Sequence, residues 1–378
     1  MFLPEFALEA YFARWDSPAR HNLCASDMQS LTLADLLALG TPQQREAWDR
    51  LWLGYTETAG APSLRAAIAG MYAGLEADDV AVTVGAGEAI FQSVRALLGP
   101  DDHAVTLIPN YQSLEAVAAS VCAVTGVPLE PDPGAAGGWS LDPGRIAAAL
   151  RPNTKAIILN LPHNPTGWLP PRPVFDAVVD IARSRGIWIL SDEVYHGLER
   201  REEDRLPPAV ELYERALSIG VLSKTYGLPG LRLGWVACRD RELLRRIVRQ
   251  KDYTTLCAPA PSEALGEIAI GARDHLVARS RALVARNLPL LDAFFARHAD
   301  RFEWQVPAAG CIAYPRYLGG EGVDAFADDL VERSGVLLLP ARVSRSALGR
   351  VPADRFRIGF GRADLPQALE AFEAHLGA

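Results

Sequence analysis

Residues 222–235 read LSKTYGLPGLRLGW. The run before them, ALSIGVL over 216–222, has the apolar character of a buried strand. Lys224 therefore falls where that strand ends. Gly227, Pro229, Gly230 and Gly234 then punctuate the chain, and Arg232 follows the lysine by eight residues. A lone lysine at such a point ordinarily lays its stem on apolar surface and pairs its ammonium with a carboxylate. A lysine held in a partly apolar site is also the side chain that forms Schiff bases with carbonyl compounds. What the rest of the sheet brings to the same end decides between the two.

Upstream, VAVTVG (80–85), HAVTLIP (103–109), KAIILNL (155–161) and IWILSD (187–192) read as strands. GEAIFQSVRALLG (87–99), QSLEAVAASV (112–121) and residues 172–185 read as helices between them. Such alternation predicts an α/β fold, a mostly parallel sheet sandwiched by helices. EPDPGAAGGW (130–139) reads as an exposed turn inside that domain. From about Leu276 a long helical pattern leads away from the sheet, and GCIAYPRY, GVLLLP and RFRIGFG then suggest strands of a smaller α+β unit. The first 45 residues have no place in the sheet. The expected division is a large domain over 46–275 and a small domain built from 1–45 and 276–378.

Bulk properties exclude several classes. Among 378 residues the net charge is −8, whereas a nucleic-acid binder shows a basic face. The five cysteines are scattered and never spaced as CxxC, which disfavours a disulfide framework or a zinc site and points to a reducing cytoplasm. Glu5 and Glu9 interrupt the apolar opening MFLPEFALEAYFARW, unlike a signal peptide, and no apolar run approaches membrane-spanning length. A cytoplasmic protein with no metal and no membrane or nucleic-acid partner is expected.

In open α/β sheets, ligands sit beyond the carboxyl ends of the strands. Four polar loops fall there. VGAGEA opens a helix at Gly85–Ala89, and the N–H groups of a helix start attract anions. By itself this is equally a tight turn. NLPHNPTG (160–167) follows a strand and aims Asn164 at the cleft, with Asn164–Pro165 a candidate cis bond. SDEVYHG (191–197) places Asp192 at a strand end, where a carboxylate is costly without a cationic partner. Taken alone, Asp192 would equally suit a helix cap. The fourth loop carries Lys224 and Arg232. Together they offer cations and N–H groups for a phosphate, a carboxylate for a pyridinium and an amine for an aldehyde, the parts that pyridoxal phosphate requires.

With these motifs in this order, the chain resembles the fold-type I pyridoxal-phosphate enzymes of the class I/II aminotransferase family, from Tyr55 to FRIGFG. The resemblance implies that Lys224 carries the cofactor as a Schiff base and moves the substrate's α-proton. Asp192 would hold the pyridine nitrogen protonated, and Tyr195 and Asn164 would bond the ring's phenolic oxygen. Tyr111, in PNYQSL, would stack on the ring. The Ala86 and Gly87 amides, Ser223 and Arg232 would take the phosphate. Tyr55 would reach the phosphate of a neighbouring subunit, implying a homodimer with shared active sites. Arg357, in RIG, would bind the substrate's α-carboxylate, for which a planar guanidinium is suited; Arg362 is the rival. The reaction implied is amino transfer between an L-amino acid and a 2-oxo acid.

Two departures from the family's pattern and one absence bearing on the substrate matter. The family places Ser or Thr three residues before the lysine, and here it is Val221. Its glycine-bearing segment that closes over the substrate is replaced by LCASDMQSLTL (23–33), whose Ser26, Asp27 and Gln29 either line the site or cap a helix starting near Leu31. KDYTTLCAPAP (251–261) lacks the arginine that members acting on dicarboxylic amino acids bring from the partner, which argues against such substrates. LPHNP, the lysine stretch and DYTTL are also similar to the capreomycidine-synthase branch, which cyclises a hydroxylated arginine. That keeps a β-elimination lyase or cyclase acting on an arginine-like or β-substituted amino acid as the alternative, with His163 and Tyr226 as candidates for steering the outcome.

Overall fold

Seven short apolar segments pair into one sheet: β1 (Val80–Thr83), β2 (His103–Ile108), β3 (Ala123–Pro128), β4 (Thr154–Asn160), β5 (Trp188–Asp192), β6 (Ala216–Val221) and β7 (Gly234–Cys238). In the computed structural model, which describes residues 3–15 and 18–377, they lie in the order β1-β7-β6-β5-β4-β2-β3. All neighbours are parallel except β7, which runs antiparallel to both β6 and β1. The sheet is thus mostly parallel, as the alternating pattern predicts. The sequence reading did not mark β3 or β7 as strands.

The period-two rule explains how one run of apolar residues serves two helical layers. Ile158 and Leu190 face a layer made by α2 (Gly85–Leu97), α3 (Gln112–Ala119) and α5 (Arg241–Lys251), where they meet Ile90, Leu114 and Ile247. Their neighbours Ile157 and Ile189 face α4 (Arg172–Arg185), packing with Phe175, Val178 and Val179. Helix α6 (Ala260–Gly271) closes the β1 side, and α7 (Arg273–Arg297) leads out of the sheet.

The segment beyond α7 builds a small antiparallel sheet, β8 (Ile312–Ala313), β9 (Leu339–Pro340) and β10 (Phe356–Gly359), in the order β8-β10-β9. Its core is aromatic, with Phe294, Phe295, Phe302, Phe356 and Phe372 buried together. The N-terminal helix α1 (Ala7–Trp15) packs Tyr11 and Trp15 onto Val331, Leu337 and Leu339, and His21–Asn22 pair with Val336–Leu337. Leu36, by contrast, sits among Leu64, Ile68 and Ile268, in the cluster that also holds Val80 and Val82 of β1.

Candidate active site

Parallel pairing sets the ends of β4 and β5 level: Asn160 lies opposite Asp192, and Asp192 opposite Ile219 of β6. Two and three residues beyond β6 come Ser223 and Lys224. A cavity of about 490 Å³ opens at this edge. Ala86, Gly87, Tyr111, Asn164, Asp192 and Tyr195 line it, as do Ser223, Lys224 and Arg232. Nine positions read from the sequence therefore converge on one space.

Each is held by a local device. Helix α2 starts on Val84 with no side-chain cap, so its first N–H groups are open to an anion. Gly85 has φ +82°, and a Cβ there would stand 2.7 Å from Arg232 Nη2, so only glycine lets the guanidinium lie against the helix start. Arg232 itself adopts φ +48°, a strained conformation for a side-chain-bearing residue and one that clusters at functional sites. Its Nη1 donates to Pro229 O at 3.0 Å and Ser223 Oγ at 3.4 Å. Tyr111 packs its ring 5.7 Å from Phe6. Asn164 follows the Pro-rich corner, with cis bonds at Leu161–Pro162 and Asn164–Pro165, and its N–H donates to Asn160 Oδ1 at 2.7 Å.

Asp192 is only 3% exposed. Burial pushes its carboxyl from 3.8 up to about 7, opposed by the Val194 N–H and by the charge of Lys224. A buried carboxylate with so little compensation calls for a cation. Burial likewise lowers the Lys224 pKa, helped by Arg357 and resisted by Asp27 and Asp192. A cavity that holds an under-compensated carboxylate, an easily neutralised amine, an aromatic face and a cationic anion cradle fits pyridoxal phosphate part by part.

Of the remaining positions, Arg362 and Val221 also line the cavity, whereas Arg357, Tyr55, Tyr226 and His163 do not. Arg357 is 2% exposed beside the lining residue Asn164, donating from Nη1 to Asn164 Oδ1 at 3.2 Å and from Nη2 to Cys24 O at 2.7 Å. Arg362 reaches the cavity, but both Asp27 oxygens hold its Nη2 at 2.9 Å. Tyr55 is 81% exposed and outside the cavity. Val221 is a cavity wall and offers no hydroxyl. Tyr226 lines a second cavity across the Val194–Val221 wall, its hydroxyl facing Met71 Sδ at 3.9 Å. His163 is buried, bonded to Thr166 Oγ1 at 2.8 Å, and burial depresses its pKa to about 3.

From the segment 23–33, Ala25, Ser26 and Asp27 line the cavity. The cap of helix Leu33–Ala38 is Thr32, in a capping box with Asp35, so the capping reading of Ser26, Asp27 and Gln29 does not hold. Instead Lys224 Nζ donates to Ser26 Oγ at 2.9 Å, and Tyr195 OH donates to Ser26 O at 2.9 Å. Gln29 Oε1 accepts from Ala363 N at 3.1 Å. Sequence reading also missed Asn160, Glu9, Phe12 and Asn22 as lining residues. Asn160 carried a signal, a polar side chain ending an apolar strand beside Asp192; Glu9, Phe12 and Asn22 depend on how the N-terminus folds back.

Comparison with known proteins agrees with this geometry. Residues 21–372 match the family "Aminotransferase class I and II". The chain is 31% identical to capreomycidine synthase of Streptomyces vinaceus, over 99% of its own length and 94% of that protein's. It superposes on a PLP-dependent aminotransferase of Streptococcus suis with a TM-score of 0.91 at 28% identity, covering 100% of this chain and 98% of the other. The PLP-dependent cyclase OrfR gives a TM-score of 0.88 at 28% identity, again over 100% and 98%. The chain belongs to the class I and II aminotransferases, a pyridoxal-phosphate-dependent family.

Proposed function

We propose that this chain is an aminotransferase moving an α-amino group between a non-dicarboxylic L-amino acid and a 2-oxo acid. The observation that carries the reading is Lys224 with its amine in the same cavity as buried Asp192 and the Arg232 cradle. Bound pyridoxal phosphate supplies an aldehyde that condenses with amines and a ring that takes up the electron pair left by the α-proton. Arg232, Ser223 and the N–H groups of Ala86 and Gly87 would hold the phosphate. Asp192, unfavourable as a lone buried carboxylate, would accept from a protonated ring nitrogen. Tyr195 and Asn164 would hydrogen-bond the ring's phenolic oxygen, and Tyr111 would cover a ring face. Lys224 Nζ, once free of the aldehyde, would take the proton from the substrate's α-carbon. Arg357, steadied by Asn164, would receive the α-carboxylate.

Exclusion of dicarboxylic substrates is supported by Asp27, which already neutralises Arg362. Glu9 adds an exposed carboxylate to the cavity rim, which suits a substrate with a cationic side chain. Tyr55, Trp52 and Leu53 protrude at 81%, 77% and 78% exposure, which supports a homodimer in which Tyr55 serves the partner's site. The same reading takes 46–275 as the cofactor-binding domain, the two chain ends as the small domain, and the cytoplasm as the location. Among the described residues no helix is long and apolar enough to cross a membrane.

A second reading is a β-elimination lyase or cyclase acting on an arginine-like or β-substituted amino acid. It is favoured by the match with capreomycidine synthase over nearly the full chain. An absorbance titration of the cofactor-loaded protein with single amino acids, arginine and hydroxylated arginine included and no oxo acid present, separates the two. Conversion to a stable pyridoxamine spectrum, reversed by a 2-oxo acid, supports amino transfer. Product formed with the starting spectrum restored would replace it by the lyase reading.

A further inference from the structure

We infer that Ser26 is a positioning residue for Lys224, its hydroxyl holding the ε-amine at a fixed place in the cavity whenever that amine carries nothing. The inference rests on the reading of Lys224 as the group that moves the α-proton. Among the described residues, Ser26 Oγ is the one hydrogen-bond partner of Nζ, at 2.9 Å. Asp27, Asp192, Arg357 and Cys311 surround the amine electrostatically without bonding it.

A hydroxyl is suited to this post because it has both a donor and acceptor lone pairs. It accepts from an ammonium and donates to a neutral amine, so it keeps its hold as the lysine gains and loses a proton. Glycine or alanine has no such group. The hydroxyl is also well placed, because the strap around it is tied at several points. Gly359 N donates to Leu23 O at 2.5 Å, Arg357 Nη2 to Cys24 O at 2.7 Å, and Gln29 N to Gly361 O at 2.7 Å. Tyr195 OH fixes the Ser26 carbonyl at 2.9 Å. A Cβ on Gly359 would come within 1.8 Å of Ala25 O, so the strap lies against β10 as closely as a bare backbone permits. Such anchoring makes a single hydroxyl a precise guide for a flexible amine.

The test compares wild type with Ser26→Ala, Ser26→Gly and Ser26→Thr as cofactor-loaded protein, using an amino acid that wild type accepts. The readouts are kcat, KM, the isotope effect with α-deuterated substrate and exchange of the α-proton with deuterium oxide. A separate readout is the rate at which each cofactor-free protein acquires near-visible absorbance on adding pyridoxal phosphate. Ala and Gly are expected to lower kcat roughly tenfold to a hundredfold with KM little changed, as a misplaced group does. They should also raise the isotope effect and slow cofactor capture, while Thr keeps wild-type behaviour. If Ala and Gly match wild type in kcat, isotope effect and capture rate, or move KM alone, Ser26 has no such role. If wild type itself exchanges no α-proton with any amino acid, the reading of Lys224 falls, and this inference with it.

Discussion

At the scale of single residues, Asp192 shows how burial prepares chemistry. Its carboxyl is pushed from 3.8 to about 7, and burial also pushes the adjacent Glu193 from 4.5 to about 7. Both folded values exceed the unfolded ones, so the folded cofactor-free protein binds more protons than the unfolded chain between about pH 4 and 7. Stability from these groups is therefore fully present below about pH 4 and is lost as pH rises toward 7. Thermal unfolding of the cofactor-free protein from pH 5 to 8 should show this loss. Asp192→Asn should flatten the slope, and bound cofactor, by giving Asp192 a cation, should flatten it too. An identical slope in the variant would show that Asp192 does not carry the proton. These features were legible in part: a carboxylate ending an apolar strand is visible in ILSD, but its near-isolation appears only once the neighbouring strands are aligned.

At the scale of elements, strands β1, β2, β4, β5 and β6 and helices α2, α3 and α4 follow from apolar runs and helical spacing in the sequence. Strand β3 was hidden by Gly126, which reads as a break; in the fold it lets Ile108 and Leu348 pack closely, with Leu348 Cβ 2.8 Å from where a side chain would begin. Strand β7 was hidden because GWVAC follows a run of Gly and Pro, and its antiparallel place depends on long-range pairing of Gly234 with Val221 and Thr83. The strap 23–29 was the largest gap. Its polar residues read equally as caps, since nothing local in LCASDMQ announces that Gly359 and Gly361 leave room for it. Gly359→Ala should force the strap away from β10 and cost about 1–3 kcal/mol, the usual penalty for overpacking. Urea unfolding would measure it, and an unchanged midpoint would mean that the strap is held elsewhere.

At the scale of the whole molecule, Tyr55, proposed to serve a partner's site, stands outside the cavity on a loop of exposed aromatic and aliphatic side chains. Tyr253, 86% exposed, adds to the same kind of surface. The loop is braced rather than loose: Thr56 Oγ1 donates to Ala258 O at 2.8 Å, and buried Lys251 donates to Thr58 O and Val82 O. A second copy would cover this surface and bring its Tyr55 to the phosphate. Sedimentation should give a dimer, and Tyr55→Phe should weaken cofactor retention by about 0.5–1.5 kcal/mol, the worth of one neutral hydrogen bond. A monomer with full cofactor affinity would contradict this arrangement. Sequence alone could suggest Tyr55 through its motif, whereas the protrusion of the loop is a property of the folded surface.

Lys224, as the proposed carrier of the cofactor, is the residue on which every other role depends. Borohydride treatment of the cofactor-loaded protein, followed by proteolysis and mass spectrometry, tests it most directly. The predicted result is the reduced cofactor mass on the peptide containing Lys224, with none bound to Lys224→Ala protein that remains folded. Cofactor trapped on Lys251, Lys155 or another amine, with Lys224 unmodified, would contradict that role.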